Sequence, residues 1–338
     1  MVGLMRNLFV SIYKKIPNYY MMGVIIVKKL FGTTLVAGAS VALLAACGDF
    51  EEELEILTGG EQGAYYPLGA QVATVINDHV DSHDASHFST GASVVNINDI
   101  ADGNGHIAFS QNDTAYYAEQ GGNDFFEEPV EGVLGLATLY PEVIQIVATE
   151  SSGIETVSDL AGMSVAVGDV GSGTEVVASQ ILDAHGMSYD DFSVEYQDFG
   201  DAADSLQDGN IDAAIIVAGT PTGAIEALSA QANITLVDVE ADAAQALLDE
   251  YPFYTEYTIE DSYGLDAPVN TLAVQAMLVA QADLDDEVIY DVLTAIFDNE
   301  DNFANAHNAG SFISLDTALE GMSIDLHPGA QQFYDENQ

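Results

Sequence analysis

The sequence predicts an α/β fold with two domains around a ligand cleft, and three observations lead to this prediction. Short apolar runs that suit buried strands alternate with segments of helical periodicity, as in parallel sheets covered by helices on both faces. The hydrophobic content is 48% and the mean hydropathy is +0.15, so the chain can form hydrophobic cores. About 290 residues follow position 46, a length that suits two domains.

The apolar pattern predicts the elements in chain order. A strand at 54–57 precedes a helix over 67–80, and a short strand at 107–109 precedes a long extended stretch at 133–149. The Tyr140-Pro141 pair is expected to interrupt that stretch. The remaining predicted elements are a short helix at 157–160, strands at 164–167, 193–196, 211–217 and 271–279, and helices at 173–185, 202–206 and 287–297.

The N-terminal segment has the pattern of a bacterial secretion signal. Lys28 and Lys29 are followed by an uncharged, apolar run that ends at the only cysteine, Cys47. The sequence LAAC at this point looks like a lipobox, in which the cysteine becomes the acylated N-terminus. We therefore expect a signal peptide at 1–46, a lipid on Cys47, an acidic tether at 47–53 and an extracytoplasmic, membrane-anchored protein. The alternatives are a plain secretory signal with an incidental cysteine and an uncleaved anchor.

From Cys47 onward the chain is extremely acidic. This part holds all 55 Asp and Glu residues and none of the five Lys and Arg residues. Nucleic acid is excluded as a partner because nothing can neutralise its phosphates, and Schiff-base chemistry is excluded because it needs a lysine. Such acidity often indicates disorder, but the regular apolar pattern argues against it. We expect a folded protein that works in high salt, where self-repulsion is screened, or in an alkaline medium.

Eight short segments together resemble one family. They are TGGEQGAYYPLG (58–69), STGAS (89–93), IAFSQND (107–113), LYPEV (139–143), GDVGSGTE (168–175), VAGTPT (217–222), YPFY (251–254) and LHPGA (326–330). Their order and spacing resemble the TAXI family, the extracytoplasmic solute-binding subunits of TRAP transporters, over nearly the whole chain after the N-terminal segment. The resemblance implies a type II periplasmic-binding-protein fold with hinge strands, and a membrane permease driven by an ion gradient as partner. It also implies a small carboxylate such as glutamate or 2-oxoglutarate as the solute.

The resemblance also guides the domain limits. We expect domain I at 54–139 plus 272–338 and domain II at 140–271, with Tyr140 at the first crossing between them. In such a fold, the loops at the carboxyl ends of parallel strands face the cleft. The candidate site residues are therefore sought at the junctions between strands and helices.

The GDVGSGTE junction is the first candidate part of the binding site. It follows a strand and opens a helix, so Gly171, Ser172, Gly173 and Thr174 can present backbone N–H groups and hydroxyls to an anion. It is not a P-loop, because that motif needs a lysine. A plain strand-to-helix turn is the alternative.

Other junctions add further candidates. Two of them supply glycine N–H groups, hydroxyls and aromatic faces that suit a solute cleft: Gly60, Tyr65, Tyr66, Thr90, Gly91 and Ser93. One of the two tyrosines is expected to belong to the core or the rim. Gln111 and Asp113 follow a short strand, although a helix cap explains Asp113 equally well. Tyr140 is included as the crossing residue, and Gly219 would let a ligand approach the backbone closely.

The absence of arginine from this region constrains the solute. Many carboxylate receptors use an arginine clamp; here backbone N–H groups and hydroxyls must hold any anion, with a bridging cation or a protonated histidine as further options. The acidic field repels anions. An amino acid therefore has equal weight with a diacid.

We expect no cofactor, no dedicated metal ion and no enzymatic activity. His79, His83 and His87 would bind zinc on an intact helix face, as in a zinc hydrolase, but the surrounding Asp and Ser residues favour a helix end and a solvated loop. His327 is expected to lie in a structural turn, and no run matches an EF-hand. A sensory receptor with the same cleft and a signalling partner is a further alternative.

Overall fold

The computed structural model describes residues 52–260, 262–265 and 267–338. The expected signal peptide, the expected lipidation site Cys47 and most of the acidic tether lie outside these residues. Within the described ranges, none of the helices is both long and apolar enough to cross a membrane.

Strands and helices alternate along the described chain. The strands are β1 (Glu52–Leu57), β2 (His83–Phe88), β3 (Ile107–Gln111), β4 (Val133–Thr149), β5 (Ser164–Ala166), β6 (Ser193–Glu195), β7 (Ala213–Ala218), β8 (Ile234–Val237), β9 (Thr255–Ile259) and β10 (Val269–Gln281). The helices are α1 (Tyr65–His79), α2 (Ser93–Asp102), α3 (Asn112–Gln120), α4 (Gly173–Ala184), α5 (Phe199–Asp208), α6 (Gly223–Ser229), α7 (Ala241–Glu250), α8 (Asp286–Phe297), α9 (Phe303–Ala306) and α10 (Pro328–Asn337). The short helix expected at 157–160 is a 3₁₀ turn.

The strands form a mixed sheet in the order β2-β1-β3-β10-β4-β7-β5-β6, with β8 beside β4 and β9 beside β10. β1 pairs in parallel with β2 and β3, and β5 pairs in parallel with β6 and β7. β4 and β10 run antiparallel to each other and to their neighbours β7 and β3. The expectation of parallel sheets is therefore wrong for the centre, because two long strands cross between the halves there.

These two strands separate two lobes. The first lobe contains β1–β3, α1–α3 and α8–α10, and the second contains β5–β8 and α4–α7. Each lobe has its own core: Leu68 and Phe109 are fully buried in the first, and Ile181 and Ile215 in the second. We propose the domain limits given by the sequence, 54–139 plus 272–338 and 140–271, and this division of the cores supports them.

The histidine segment differs from its expected conformation. Residues 83–88 form the edge strand β2 rather than a solvated loop, because Ala85 is buried and the segment pairs along the whole of β1. α1 ends at His79, whereas His83 and His87 lie on β2, so the three imidazoles do not share a helix face. The described residues contain no group of three or more His, Cys, Asp and Glu side chains arranged to hold a metal ion.

The prediction that Tyr140-Pro141 interrupts the long extended stretch is also wrong. β4 continues through Tyr140 and Pro141, which pair with Ala276 and Gln275 of β10. A register shift next to this point, between Ala276 and Met277, takes up the irregularity. The crossing between the lobes is therefore made by a continuous ribbon of two strands.

Candidate ligand-binding site

A cavity lies between the two lobes, beside the central strand β4. It contains about 590 Å³ of space that no atom occupies, part of which is continuous with solvent. Its walls are the loops that open α1, α2, α4 and α5, together with residues of β3, β4 and β7. Helix N-termini carry unpaired N–H groups and a partial positive charge, so their convergence creates an environment that favours negative ligand groups.

Most of the candidate site residues meet at this cavity. Those that line it are Gly60, Tyr65, Thr90, Gly91, Ser93, Gln111, Ser172, Gly173 and Thr174. They come from both lobes, as a cleft site requires. The ends of β3 and β7 face the same space, which is the geometry expected where parallel strands end.

The α4 junction is built as a helix cap. The Ser172 hydroxyl accepts a hydrogen bond from the Glu175 N–H (3.1 Å), and the Glu175 carboxylate accepts one from the Gly171 N–H (2.7 Å). The N–H groups at the first two helical positions, Gly173 and Thr174, have no acceptor within the helix itself. Both residues line the cavity, so these donors are available to a ligand.

Gly171 and Gly219 do not line the cavity, and both pack against other parts of the protein. The Gly171 carbonyl accepts hydrogen bonds from the N–H groups of Val94 (3.1 Å) and Val95 (3.2 Å), so a loop of the second lobe caps α2 of the first. A Cβ atom added to Gly219 would lie 2.8 Å from the Cβ of Ala309. The close approach that this glycine permits is therefore made by protein.

Three other candidates lie outside the cavity lining. Tyr66 packs edge-on against His87, with ring centroids 4.8 Å apart. Tyr140 is buried, and its hydroxyl donates to Oε1 of Glu142 (3.2 Å). Asp113 is buried in the first turn of α3, where no described residue gives its carboxylate a well-formed hydrogen bond. Burial raises the pKa of Asp113 to about 7, which nearby N–H groups at the start of α3 offset only in part.

Glu142 of β4 is the main cavity residue that sequence reasoning missed. It is 3% exposed, and its Oε2 accepts hydrogen bonds from Nε2 of Gln111 (2.7 Å) and the hydroxyl of Tyr65 (3.1 Å). Burial raises its pKa to about 8, although these donors and Tyr140 act in the opposite direction. A signal was present in the sequence, because this is the one acidic residue in the apolar run at 133–149.

The other charged groups in the cavity wall are also acidic. Asp169 and Asp198 line it and are half-buried. Burial, with the charge of Asp198 nearby, raises the pKa of Asp169. The cavity therefore combines helix N-termini with carboxyl groups, and the described part of the chain contains no lysine or arginine to balance them.

Comparison with known protein families identifies the family of this chain. A protein-family model described as the NMT1-like family matches residues 56–337. The chain belongs to this family. The match covers both lobes of the NMT1-like chain and nearly all of its described residues.

Solved structures share the fold of this NMT1-like protein. The periplasmic binding protein BugD aligns at a TM-score of 0.55 with 11% identity, over 85% of this chain and 95% of BugD. PhnD1 of Prochlorococcus marinus, solved with methylphosphonate, aligns at 0.53 with 9% identity, over 78% and 92%. A binding-protein component of an ABC phosphonate transporter from Pseudomonas aeruginosa aligns at 0.51 with 12% identity, over 78% and 80%. The fold is the two-domain α/β periplasmic-binding-protein fold that the sequence predicted.

The two buried carboxyl groups predict how the stability of the NMT1-like protein depends on pH. The pKa values of Asp113 and Glu142 are raised in the folded state above their ordinary values of 3.8 and 4.5, so the folded protein holds their protons more tightly than the unfolded chain. Stability is therefore expected to fall as the pH rises from 5 to 7, by about 1.4 kcal/mol per pH unit for each group at most, and to level off above pH 8.

Thermal unfolding at constant high salt would test this dependence. Burial lowers the pKa values of His307 and His327, so their titration acts in the opposite direction and can mask the effect. The Glu142→Gln variant should therefore be compared with Glu119→Gln, which makes the same change at an exposed position. Only the first substitution should reduce the pH slope. If stability depends on pH equally in both variants and in the parent protein, the pKa of Glu142 is not raised in the folded state.

Proposed function

We propose that this NMT1-like protein is an extracytoplasmic receptor that captures a small solute for a membrane transporter. The observation that carries the proposal is the cavity between two lobes, where donors from both lobes converge beside the strands β4 and β10. A solute held there contacts both lobes, so binding favours the closed arrangement over an open one. A transporter subunit can recognise that difference in shape.

The fold neighbours support this class of function. PhnD1 is described with bound methylphosphonate, and the Pseudomonas aeruginosa protein as a binding component of a transporter. The composition of the cavity argues against an enzyme, since its lining offers hydroxyl groups but no histidine, cysteine or lysine to activate them or to act as a nucleophile. We therefore propose a binding protein without catalytic activity.

Within this class we propose a TAXI-type subunit of a TRAP transporter, anchored to the membrane through a lipid on Cys47. Six of the segments that resemble the TAXI family supply residues of the cavity wall: 58–69, 89–93, 107–113, 139–143, 168–175 and 217–222. The resemblance therefore includes the part of the molecule that would contact the solute. The partner would be the membrane permease of the transporter.

A thermal-shift screen of the protein in high salt tests the receptor function. The panel holds glutamate, 2-oxoglutarate, glutamine, succinate, aliphatic amino acids and putrescine, with zinc and calcium as controls. A ligand present at 100 times its dissociation constant is expected to stabilise the protein by about 2.7 kcal/mol, which is several degrees. If zinc alone shifts the melting temperature, or if none of the organic solutes shifts it, the result would contradict a receptor for this class of compound.

A further inference from the structure

The wall of the cavity next to β4 contains two side chains with hydrogen-bond acceptors, Glu142 and Gln111. Glu142 carries two carboxyl oxygens, and the amide of Gln111 donates to one of them through Nε2. The other end of that amide, Oε1, is buried, and no described residue donates a hydrogen bond to it. A buried acceptor without a donor is costly, so a ligand that brings N–H groups would relieve it.

The surrounding charges favour a positive ligand group at this wall. Asp169 and Asp198 line the same cavity, and Asp113 is buried nearby on α3. The remaining groups that contact the Glu142 carboxyl, Tyr65 of α1 and Tyr140 of β4, are neutral donors. Their hydrogen bonds hold the carboxyl in place, and neither group brings a positive charge to it.

We propose that Glu142 and Oε1 of Gln111 form a subsite for a primary ammonium group, so that the receptor selects amine-bearing solutes over carboxylates that lack an amine. This inference rests on the proposed receptor function and names the solute class of the same cavity. The three N–H bonds of an ammonium group match an acceptor cluster of this kind. A carboxylate on the same solute would be held by the N–H groups of Gly173 and Thr174 at the start of α4.

Binding at this subsite requires the release of a proton. Burial raises the pKa of Glu142 to about 8, so at neutral pH the free receptor carries a protonated carboxyl there. An entering ammonium group favours the ionised form, and the carboxyl proton passes to solvent as the ion pair forms. Affinity for an amine is therefore expected to rise with pH by up to about tenfold per unit between pH 6 and 8. A carboxylate held by protonated Glu142 would show the opposite trend.

Isothermal titration calorimetry of the full-length protein in high salt tests the subsite. The probes are pairs in which the second compound has a carbonyl group where the first has its amine, such as L-glutamate with 2-oxoglutarate and L-leucine with its 2-oxo acid. Putrescine is added as an amine without a carboxylate. We expect at least one amine to bind about 100-fold more tightly than its oxo acid. Titrations in two buffers of different ionisation enthalpy should show close to one proton released at pH 7.

Two variants locate the effect. Glu142→Gln is expected to weaken binding of the amine by about 100-fold, to bring its affinity close to that of the oxo acid and to remove the pH dependence. Glu119→Gln, on the exposed side of α3, should bind as the parent protein does. Circular dichroism is used to check that each variant is folded. The number of protons released on binding is measured on the parent protein, so that result does not depend on the folding of a variant.

The outcomes separate the two proposals. An oxo acid that binds as tightly as its amino acid, or affinity for the amine that falls as the pH rises, would overturn the ammonium subsite and leave the receptor function intact. Failure of every probe to bind would overturn the receptor function, and the subsite with it.

Discussion

Removal of salt at neutral pH is expected to unfold the lobes that enclose the cavity. The chain carries a formal charge of −50, and all 55 acidic residues lie after position 46, where no lysine or arginine is present. Two like charges at 4 Å repel by about 1 kcal/mol even in water. The Debye screening length grows from about 3 Å at 1 M salt to about 30 Å at 0.01 M. At the lower salt concentration each carboxylate therefore repels many others.

The described structure offers few contacts that oppose this repulsion. Its ion pairs join a carboxylate to a histidine, as in His185 with Glu240 (2.6 Å) and His327 with Asp286 (3.9 Å), and burial lowers the pKa of His327. Far-UV circular dichroism during dialysis from 1 M to 0.01 M salt would follow the loss of structure. A native spectrum with a cooperative melting transition at 0.01 M salt would show that the self-repulsion is offset in another way.

Sequence reasoning predicted most accurately the strands and helices whose pattern of apolar and polar residues is evident within the segment itself. A helix at 173–185 was predicted because a strand precedes it and a loop with glycine and hydroxyl residues opens it, and α4 begins at Gly173 with Ser172 as its cap. β2 was missed because five of its six side chains are exposed or half-buried. Its conformation follows from pairing with β1, a contact distant in sequence that its own residues do not indicate.

The same distinction applies to the site. Loops with glycine and hydroxyl residues indicate a helix N-terminus from a few consecutive positions, and most of those candidates line the cavity. Sequence alone does not reveal which glycine faces a ligand and which faces protein: Gly173 borders the cavity, whereas Gly171 caps α2 and Gly219 packs against Ala309. Glu142 was missed because its importance depends on donors from α1 and β3, which only the fold brings together.

Gly173→Val is expected to abolish solute binding while the melting temperature of the free protein changes little. A Cβ atom at this position would lie 2.7 Å from Oγ of Ser93 and still closer to the amide of Gln111, both on the first lobe. Gln111 is buried and hydrogen-bonded to Glu142, so it moves only if that contact breaks. The alternative is that the lobes stay apart, which removes half of the site. It would expose Val176 of α4, which shares a buried cluster with residues of the first lobe, but it leaves the larger core of each lobe intact.

Gly223→Val provides a matched control, because Gly223 is also the first residue of a helix in the second lobe and its backbone is equally compatible with a side chain. The nearest atom to an added Cβ there is the Gln62 carbonyl oxygen at 3.8 Å, an ordinary contact. Calorimetry with a solute found by the thermal-shift screen should show binding in this control and loss of at least about 100-fold in Gly173→Val. Small-angle scattering should show a larger radius of gyration only for Gly173→Val. Unchanged affinity in that variant would mean that the solute does not require the contact between α4 and the first lobe, and that the α4 junction is a structural turn.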